Sequence, residues 1–391
     1  MRKTQMMKCK SLLLTMALAV LGNATVHAQD DLLEREEKAL QAAVTKASPS
    51  VVQLELVGGL ESQELGPISG LAVTEDGFVF ASASLIPSNI TSILATTPSG
   101  KRAAAKVVAH DHSRNLVLLK VNSTESYPVL EVVPRNEIVV GQWGIAVGRT
   151  FSREFTNQSV GIISATNRVW GKAIQTDAKI SPANYGGPLI DIHGRAYGVL
   201  TPLTPHPQGG QSDGSEWYDS GIGFAVPLAD LMPHLESMKE GQNLYPGRLG
   251  ISLTAGNLYD LPAEVVAVQP KSPAREAGIQ KGDTIVELAG NPVARQSELR
   301  HILGAHYAGD TISVKLLRND NIIESEITLA KKLEPYQHPF LGILPERHQL
   351  QPGVLVRHVY PNSVAEQGGL QVGDRITKLN ETVIQDHNQL R

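Results

Sequence analysis

Side chains able to do chemistry gather at three places in the chain. Gln175 to Leu189 reads Gln-Thr-Asp-Ala-Lys-Ile-Ser-Pro-Ala-Asn-Tyr-Gly-Gly-Pro-Leu, whose tail has small residues, a tight Gly-Gly turn and an apolar strand from Pro188. That is the build of a loop presenting a nucleophile, although alone it also reads as a plain turn between strands. Tyr185 stands at its crest, and a phenol with a pKa near 10 and no adjacent base is protonated and weakly nucleophilic. His110-Asp111-His112 is the second place. Alternate residues of a strand share a face, so the two imidazoles could reach one metal ion. No mature cysteine and no carboxylate at a ligand spacing completes such a set, so surface histidines are the simpler reading, and neither metal nor cofactor is expected. Ser82 and Ser84 are the third, hydroxyls that His110, His112 or His193 would have to activate.

The elements that must hold these groups are mostly strands. Val51 to Val57, Gly70 to Thr74, Phe78 to Ala83, Ile93 to Thr97, Ala103 to Ala109, Leu116 to Val121, Gly144 to Gly148, Ser159 to Ala165, Leu189 to Ile192, Ala196 to Thr201 and Gly221 to Val226 are rich in Val, Ile and Leu. Gly, Pro, Asn and Asp separate them, which is the pattern of an all-β sandwich or barrel. One helix is predicted before them, Asp30 to Ala47, and one after, Leu228 to Lys239. Thr201 to Ser220, with three prolines, three glycines and the aromatic residues Trp217 and Tyr218, has no periodicity and reads as a loop.

The quoted loop resembles the active-site loop of the HtrA family, trypsin-like proteases followed by PDZ domains, whose usual form is Asn-Pro-Gly-Asn-Ser-Gly-Gly-Pro-Leu. Gly77-Phe78-Val79-Phe80-Ala81-Ser82-Ala83-Ser84-Leu85 resembles the family's Gly-Tyr-Val-Val-Thr-Asn-Asn-His-Val, which sets Ser84 at the general base. Asp111-His112-Ser113-Arg114-Asn115-Leu116-Val117-Leu118-Leu119-Lys120 resembles Asp-x-x-x-Asp-Leu-Ala-Val-Leu-Lys, which sets Asn115 at the base-orienting carboxylate. Gly221-Ile222-Gly223-Phe224-Ala225-Val226-Pro227 resembles the strand lining the family's specificity pocket. The resemblance therefore implies a chymotrypsin-like double β-barrel with all three triad positions, Ser84, Asn115 and Tyr185, substituted. An alkyl hydroxyl cannot take a proton near neutral pH as imidazole does. Exchange of the carboxylate for an amide alone costs about four orders of magnitude in the worked trypsin case. An oxyanion hole of backbone amides could persist, but the glycine two residues before the nucleophile is Ala183, which would be strained if that position needs φ > 0.

Beyond a short linker at 241–246 the chain repeats itself. Ser272-Pro273-Ala274-Arg275-Glu276-Ala277-Gly278-Ile279-Gln280-Lys281-Gly282-Asp283-Thr284-Ile285 returns as Ser363-Val364-Ala365-Glu366-Gln367-Gly368-Gly369-Leu370-Gln371-Val372-Gly373-Asp374-Arg375-Ile376, 91 residues on (374 − 283). This is the size of a small domain, and the pattern is similar to that of bacterial PDZ domains. Leu249-Gly250-Ile251 and Leu341-Gly342-Ile343 are the two carboxylate-loop candidates, where glycine lets backbone amides converge on a peptide's C-terminus beside a strand edge. Leu299 and Leu303, on a helix from Ser297 to Ala305, are candidates for the groove wall, with a plain core role as the alternative. The second copy stops at Leu390-Arg391, matching Leu299-Arg300 of the first, so it reads as truncated and the sequence as a fragment.

Composition sets the address. Arg2, Lys3, Lys8 and Lys10, the apolar run Leu12 to Leu21 and Val26-His27-Ala28 form a secretory signal over 1–28, too short in its apolar part to span a bilayer. The only cysteine, Cys9, lies inside it, so the mature chain is expected to have no thiol. Cleavage removes four of the 35 basic residues and none of the 39 acidic ones, and the remaining 31 against 39 argue against nucleic acid or anionic membrane as partners.

The reading is therefore mostly β: signal 1–28, helical segment 29–47, trypsin-like domain 48–240, PDZ domains 247–331 and 332–391. The resemblance implies a periplasmic or secreted pseudoprotease that binds peptides, C-terminal segments or unfolded proteins through PDZ grooves, as scaffold, chaperone or regulator of an active protease. It also implies a homo-trimer, or a hetero-oligomer with an active HtrA protease. The alternative is a serine endopeptidase with a rearranged or partner-completed site.

Overall fold

The computed structural model describes residues 32–58, 66–87, 89–203, 221–334, 340–347, 351–380 and 382–386. The signal segment, the loop with Trp217 and Tyr218, and Leu390-Arg391 lie outside the described residues. Two compact units are present, one ending at Leu333 and one starting at Glu334.

Two closed six-stranded barrels open the first unit. The first consists of β1 (Val51–Val57), β2 (Ile68–Ala72), β3 (Phe78–Ser82), β4 (Ser92–Thr96), β5 (Arg102–Asp111) and β6 (Leu116–Val121), closed in the order β1-β2-β3-β6-β5-β4. The second is β7 (Trp143–Gly148), β8 (Asn157–Arg168), β9 (Ala173–Thr176), β10 (Pro188–Ile190), β11 (Ala196–Leu200) and β12 (Gly223–Pro227), closed as β10-β11-β12-β9-β8-β7. Strand β9 has only four residues and no alternating pattern, and it has no counterpart among the predicted segments.

Several strands are apolar on both faces because both faces are buried. Along β6, Leu116 and Leu118 enter one cluster, with Ile145, Val147 and Val226 of the second barrel, while Val117 and Leu119 fill the interior of the first barrel. Phe78 and Phe80 divide from Val79 and Ala81 in the same way along β3. A period of two thus supplies a barrel core and an inter-barrel core from one uninterrupted run, and each such side chain contributes about 1.5–3 kcal/mol by burial. The preceding helix, 32–47, adds Ala43, Val44 and Ala47 to the inter-barrel cluster, but Leu32 and Leu33 are exposed. The predicted helix after β12 is broken into Leu228–Leu231, a 3-10 turn Met232–His234 and Leu235–Lys239, because Pro233 has no N–H to give.

Residues 241–246 are tied down rather than free-running. Leu244 donates to His110 O at 2.8 Å and accepts from His112 N at 2.9 Å, extending the edge of β5. The following domain packs one helix, Gln296–Ala305, against a short sheet of β13 (Ile251–Leu253) and β14 (Val265–Val268). A four-stranded sheet, β16-β15-β17-β18, completes it: β15 (Thr284–Leu288), β16 (Asn291–Pro292), β17 (Thr311–Arg318) and β18 (Asn321–Thr328). The β17–β18 hairpin turns on Asn319 and Asp320, both at positive φ, the residue types that tolerate the primed turn a two-residue hairpin needs.

The second unit repeats the same local bonds. Ala274 N to Leu249 O (3.0 Å), Gln269 N to Gly250 O (2.9 Å) and Gly282 N to Val265 O (2.8 Å) recur as Ala365 N to Leu341 O (2.9 Å), Tyr360 N to Gly342 O (2.8 Å) and Gly373 N to Val356 O (2.9 Å).

Candidate active-site cleft and peptide groove

The loop around Tyr185 is shaped by its own short-range bonds. Asn184 N donates to Ser181 O at 2.8 Å, Gly187 N to Asn184 O at 2.9 Å, and Gly186 N to Leu200 O of β11 at 2.7 Å. Gly186 sits at φ +86 with Ser69 O where a Cβ would be, 2.1 Å away, so glycine is required on both counts. Ser69 Oγ, on the first barrel, donates to Ala183 O at 3.0 Å and binds the loop across the inter-barrel boundary.

Ala183 keeps a negative φ, so the strain foreseen for alanine is absent. Its N–H turns instead to Ser181 Oγ at 3.3 Å, which diverts one of the two amides an oxyanion hole would use. The ring of Tyr185 is turned inward from the crest of the loop. It is 8% exposed and belongs to the apolar cluster of the second barrel, with Ile180, Leu189, Leu200 and Ala225 of β12.

Ser84 and Asn115 are brought together, through two intermediaries. Ser84 Oγ and Ser82 Oγ lie 3.0 Å apart, Ser82 Oγ and Thr201 Oγ1 3.0 Å apart, and Thr201 Oγ1 donates to Asn115 O at 3.2 Å. Asn115 Nδ2 donates to Pro202 O at 3.1 Å, and its φ of 57 is one that asparagine tolerates. Hydroxyls and amides of this kind exchange hydrogen bonds but do not hold a proton at neutral pH. A mostly apolar pocket of about 430 Å³ opens at the start of the Tyr185 loop, lined by Pro67, Ile68, Leu85, Phe151, Pro182 and Ala183.

His110 and His112 stack on each other at 5.5 Å, and His112 stacks on Tyr245 at 4.6 Å, under Lys331 Nζ. Burial lowers the pKa of His110, followed by the neighbouring His112 charge. Among the described residues no three His, Cys, Asp or Glu side chains are grouped to hold a metal ion.

Leu249, Gly250, Ile251, Leu299 and Leu303 converge as the sequence suggested. Leu249, Ile251, Leu299 and Leu303 line a cavity of about 350 Å³ between β13 and the helix, and Gly250 joins Leu249, Ile251 and Leu303 around an adjoining one of about 320 Å³. Leu299 is 3% exposed and part of the domain core while it also lines the cavity. Gly250 (φ +83) and Gly342 (φ +86) make the same turn, each with a serine, Ser272 or Ser363, against the place of a Cβ. Gln296, Arg300 and Leu333 also line the first unit's cavities and were not singled out. Helical spacing from Leu299 and Leu303 could have found Gln296; Leu333 lies beyond the domain and carries no local signal.

A trypsin-like peptidase domain model matches residues 68–199, and PDZ domain models match 247–329 and 331–391. A probable periplasmic serine endoprotease, DegP-like, from Chlamydia pneumoniae is 30% identical over 361 residues, covering 82% of this chain and 71% of its own. Its namesake from Hahella chejuensis is 28% identical, covering 84% and 76%. The crystal structure of the serine endoprotease from Yersinia pestis superposes with a TM-score of 0.54 at 27% identity, over 75% of this chain and 98% of that one. The HtrA-type protease AlgW with tripeptide shares the fold, with a TM-score of 0.58 at 24% identity over 76% and 98%. With two closed barrels leading into two PDZ domains, and sequence kinship across most of both chains, this protein belongs to the DegP-like branch of the HtrA family.

Proposed function

We propose that this chain is a non-hydrolytic HtrA protein of the periplasm that binds C-terminal segments or unfolded chains through its PDZ grooves. Ser84, Asn115 and Tyr185 hold the triad positions, and recognition outlives the chemistry. Assembly as a homo-trimer, or with an active HtrA protease, belongs to the same proposal.

The observation that carries it is the state of Tyr185. Its ring is committed to the barrel core, while among the described residues Ser84 and Asn115 bond to hydroxyls and backbone carbonyls, none of which accepts a proton at neutral pH. A binding groove of leucines beside the Gly250 loop supports the remaining part. Relatives carrying periplasmic names favour the location, and no helix among the described residues is long and apolar enough to cross a membrane.

The competing reading, an endopeptidase completed by a partner or by rearrangement, draws on the relatives' being named endoproteases. Purified protein incubated with casein and with a fluorophosphonate probe separates the two. No hydrolysis and no label are expected; covalent labelling would overturn the proposal.

A further inference from the structure

The wall of the peptide groove carries a charge, and it is held by the other domain. Gln296 Nε2 donates to Thr254 O at 2.8 Å, so the start of the helix lies beside the far end of β13, while Leu303 lies beside the Gly250 loop. A chain end docked at Leu249-Gly250-Ile251 must then run along β13 toward Thr254. Its alternate residues face the helix about 6.6–6.8 Å apart, close to one helical turn of 5.4 Å. The last residue meets Leu303, and the residue two before it meets Leu299 and Arg300.

Arg300 is exposed and lines the cavity, and no carboxylate among the described residues forms an ion pair with it. Its guanidinium lies over Trp170, 5.5 Å from the ring centroid. Trp170 belongs to the turn after β8, where Val169, Trp170 and Gly171 take φ of 50, 56 and 79. Three consecutive left-handed residues, one β-branched, persist only where the surroundings over-determine them. Here the surroundings are the helix itself: Trp170 O fills the space of a Cβ on Gly304 at 1.9 Å, His301 O that of a Cβ on Gly171 at 2.2 Å, and His301 packs on the Trp170 ring at 5.3 Å.

We propose that the first PDZ groove selects chain ends with an acidic side chain two residues before an apolar C-terminal residue, read by Arg300, which the Trp170 turn of the second barrel holds in position. This rests on the peptide-binding reading above. Fluorescence anisotropy on the full chain, with peptides ending in Leu and carrying Glu, Ala or Lys at that position, tests it. Glu is expected to bind about fivefold tighter than Ala, as befits a partly exposed charge-assisted contact, and Lys weaker still. Arg300→Ala should level the three peptides without abolishing binding, and Arg300→Glu should invert their order. Trp170→Ala should shrink the preference for Glu over Ala. Equal affinity of the three peptides for the unaltered protein overturns the charge rule alone. Failure of every free-acid peptide to bind better than its C-terminally amidated form overturns the groove reading and this rule with it.

Discussion

The phenol of Tyr307 in the first PDZ domain donates a hydrogen bond to the buried carboxylate of Asp111 at the end of β5. Arg114, 1% exposed, closes the arrangement: it lies 5.0 Å from the Tyr307 ring centroid and donates to Ala305 O at 3.0 Å. Asp111 also accepts from Ser113 N and Arg114 N, so the turn leading to Asn115 and the end of the groove helix share one set of polar contacts.

Removing that phenol should loosen the domain pair. Burial pushes the Asp111 carboxyl up, against the pull of Arg114 and of the Tyr307 hydrogen bond. A raised carboxyl favours the fold at low pH, and that contribution is lost as pH rises through the folded value. Tyr307→Phe should cost about 1–3 kcal/mol near pH 7 in urea denaturation. The deficit should shrink on acidification, because a protonated carboxyl needs the donor less. A cost independent of pH would mean that packing, not this hydrogen bond, is what the tyrosine supplies.

Asp283 gives the opposite pH dependence. Arg318 grips it with Nε at 2.7 Å and Nη2 at 2.8 Å, and this pairing, with the Gln280 amide, holds its carboxyl below the usual range. A lowered carboxyl contributes stability present above the unfolded value, about 3.9, and lost as pH falls below it. Asp283→Asn should cost about 1.5–3 kcal/mol at neutral pH, since the buried side chain loses its charge-assisted hydrogen bonds to Arg318. Thermal melts of the variant should then vary less than wild type between about pH 4 and pH 2.

Tyr185→Ser tests the buried nucleophile position from both sides. Loss of the ring should cost about 3–5 kcal/mol, the range for emptying an aromatic core site. With Ser84 in the proposed place of the base, no fluorophosphonate labelling should appear in the variant. A near-neutral change in the denaturation midpoint would show that the ring is not part of the core.

What could be read from the residues was whatever repeats locally. The apolar strand runs and the Gly-Asp-x-Ile repeat follow from short periods and turn chemistry, whereas the pairing of Leu249 and Ile251 with Leu299 and Leu303 was legible only through the resemblance to PDZ domains. Contacts between distant segments leave no such trace. Tyr307 and Asp111 are 196 positions apart, and neither type announces the other. Nothing in the run Val169-Trp170-Gly171 signals that Gly171 and Gly304 are pressed against the opposing backbone. The burial of Tyr185 is hidden for a related reason: the motif gives the position of the side chain along the loop but not the direction in which an apolar barrel draws its ring.

Gly304→Ala separates local preference from this long-range fit. In an exposed helix interior the change from glycine to alanine stabilises by about 1 kcal/mol, because glycine has more backbone freedom to lose. Here the added carbon would lie 1.9 Å from Trp170 O and 3.1 Å from Trp170 Cβ, and the nearer atom is backbone that cannot rotate aside. The expected outcome is a lower melting temperature, not a higher one. Trp170→Ala should not rescue it, since alanine keeps the same carbonyl and Cβ. A stabilised Gly304→Ala protein would mean that the β8 turn does not press on the helix in solution, and the placement of Arg300 over Trp170 would lose its mechanical support.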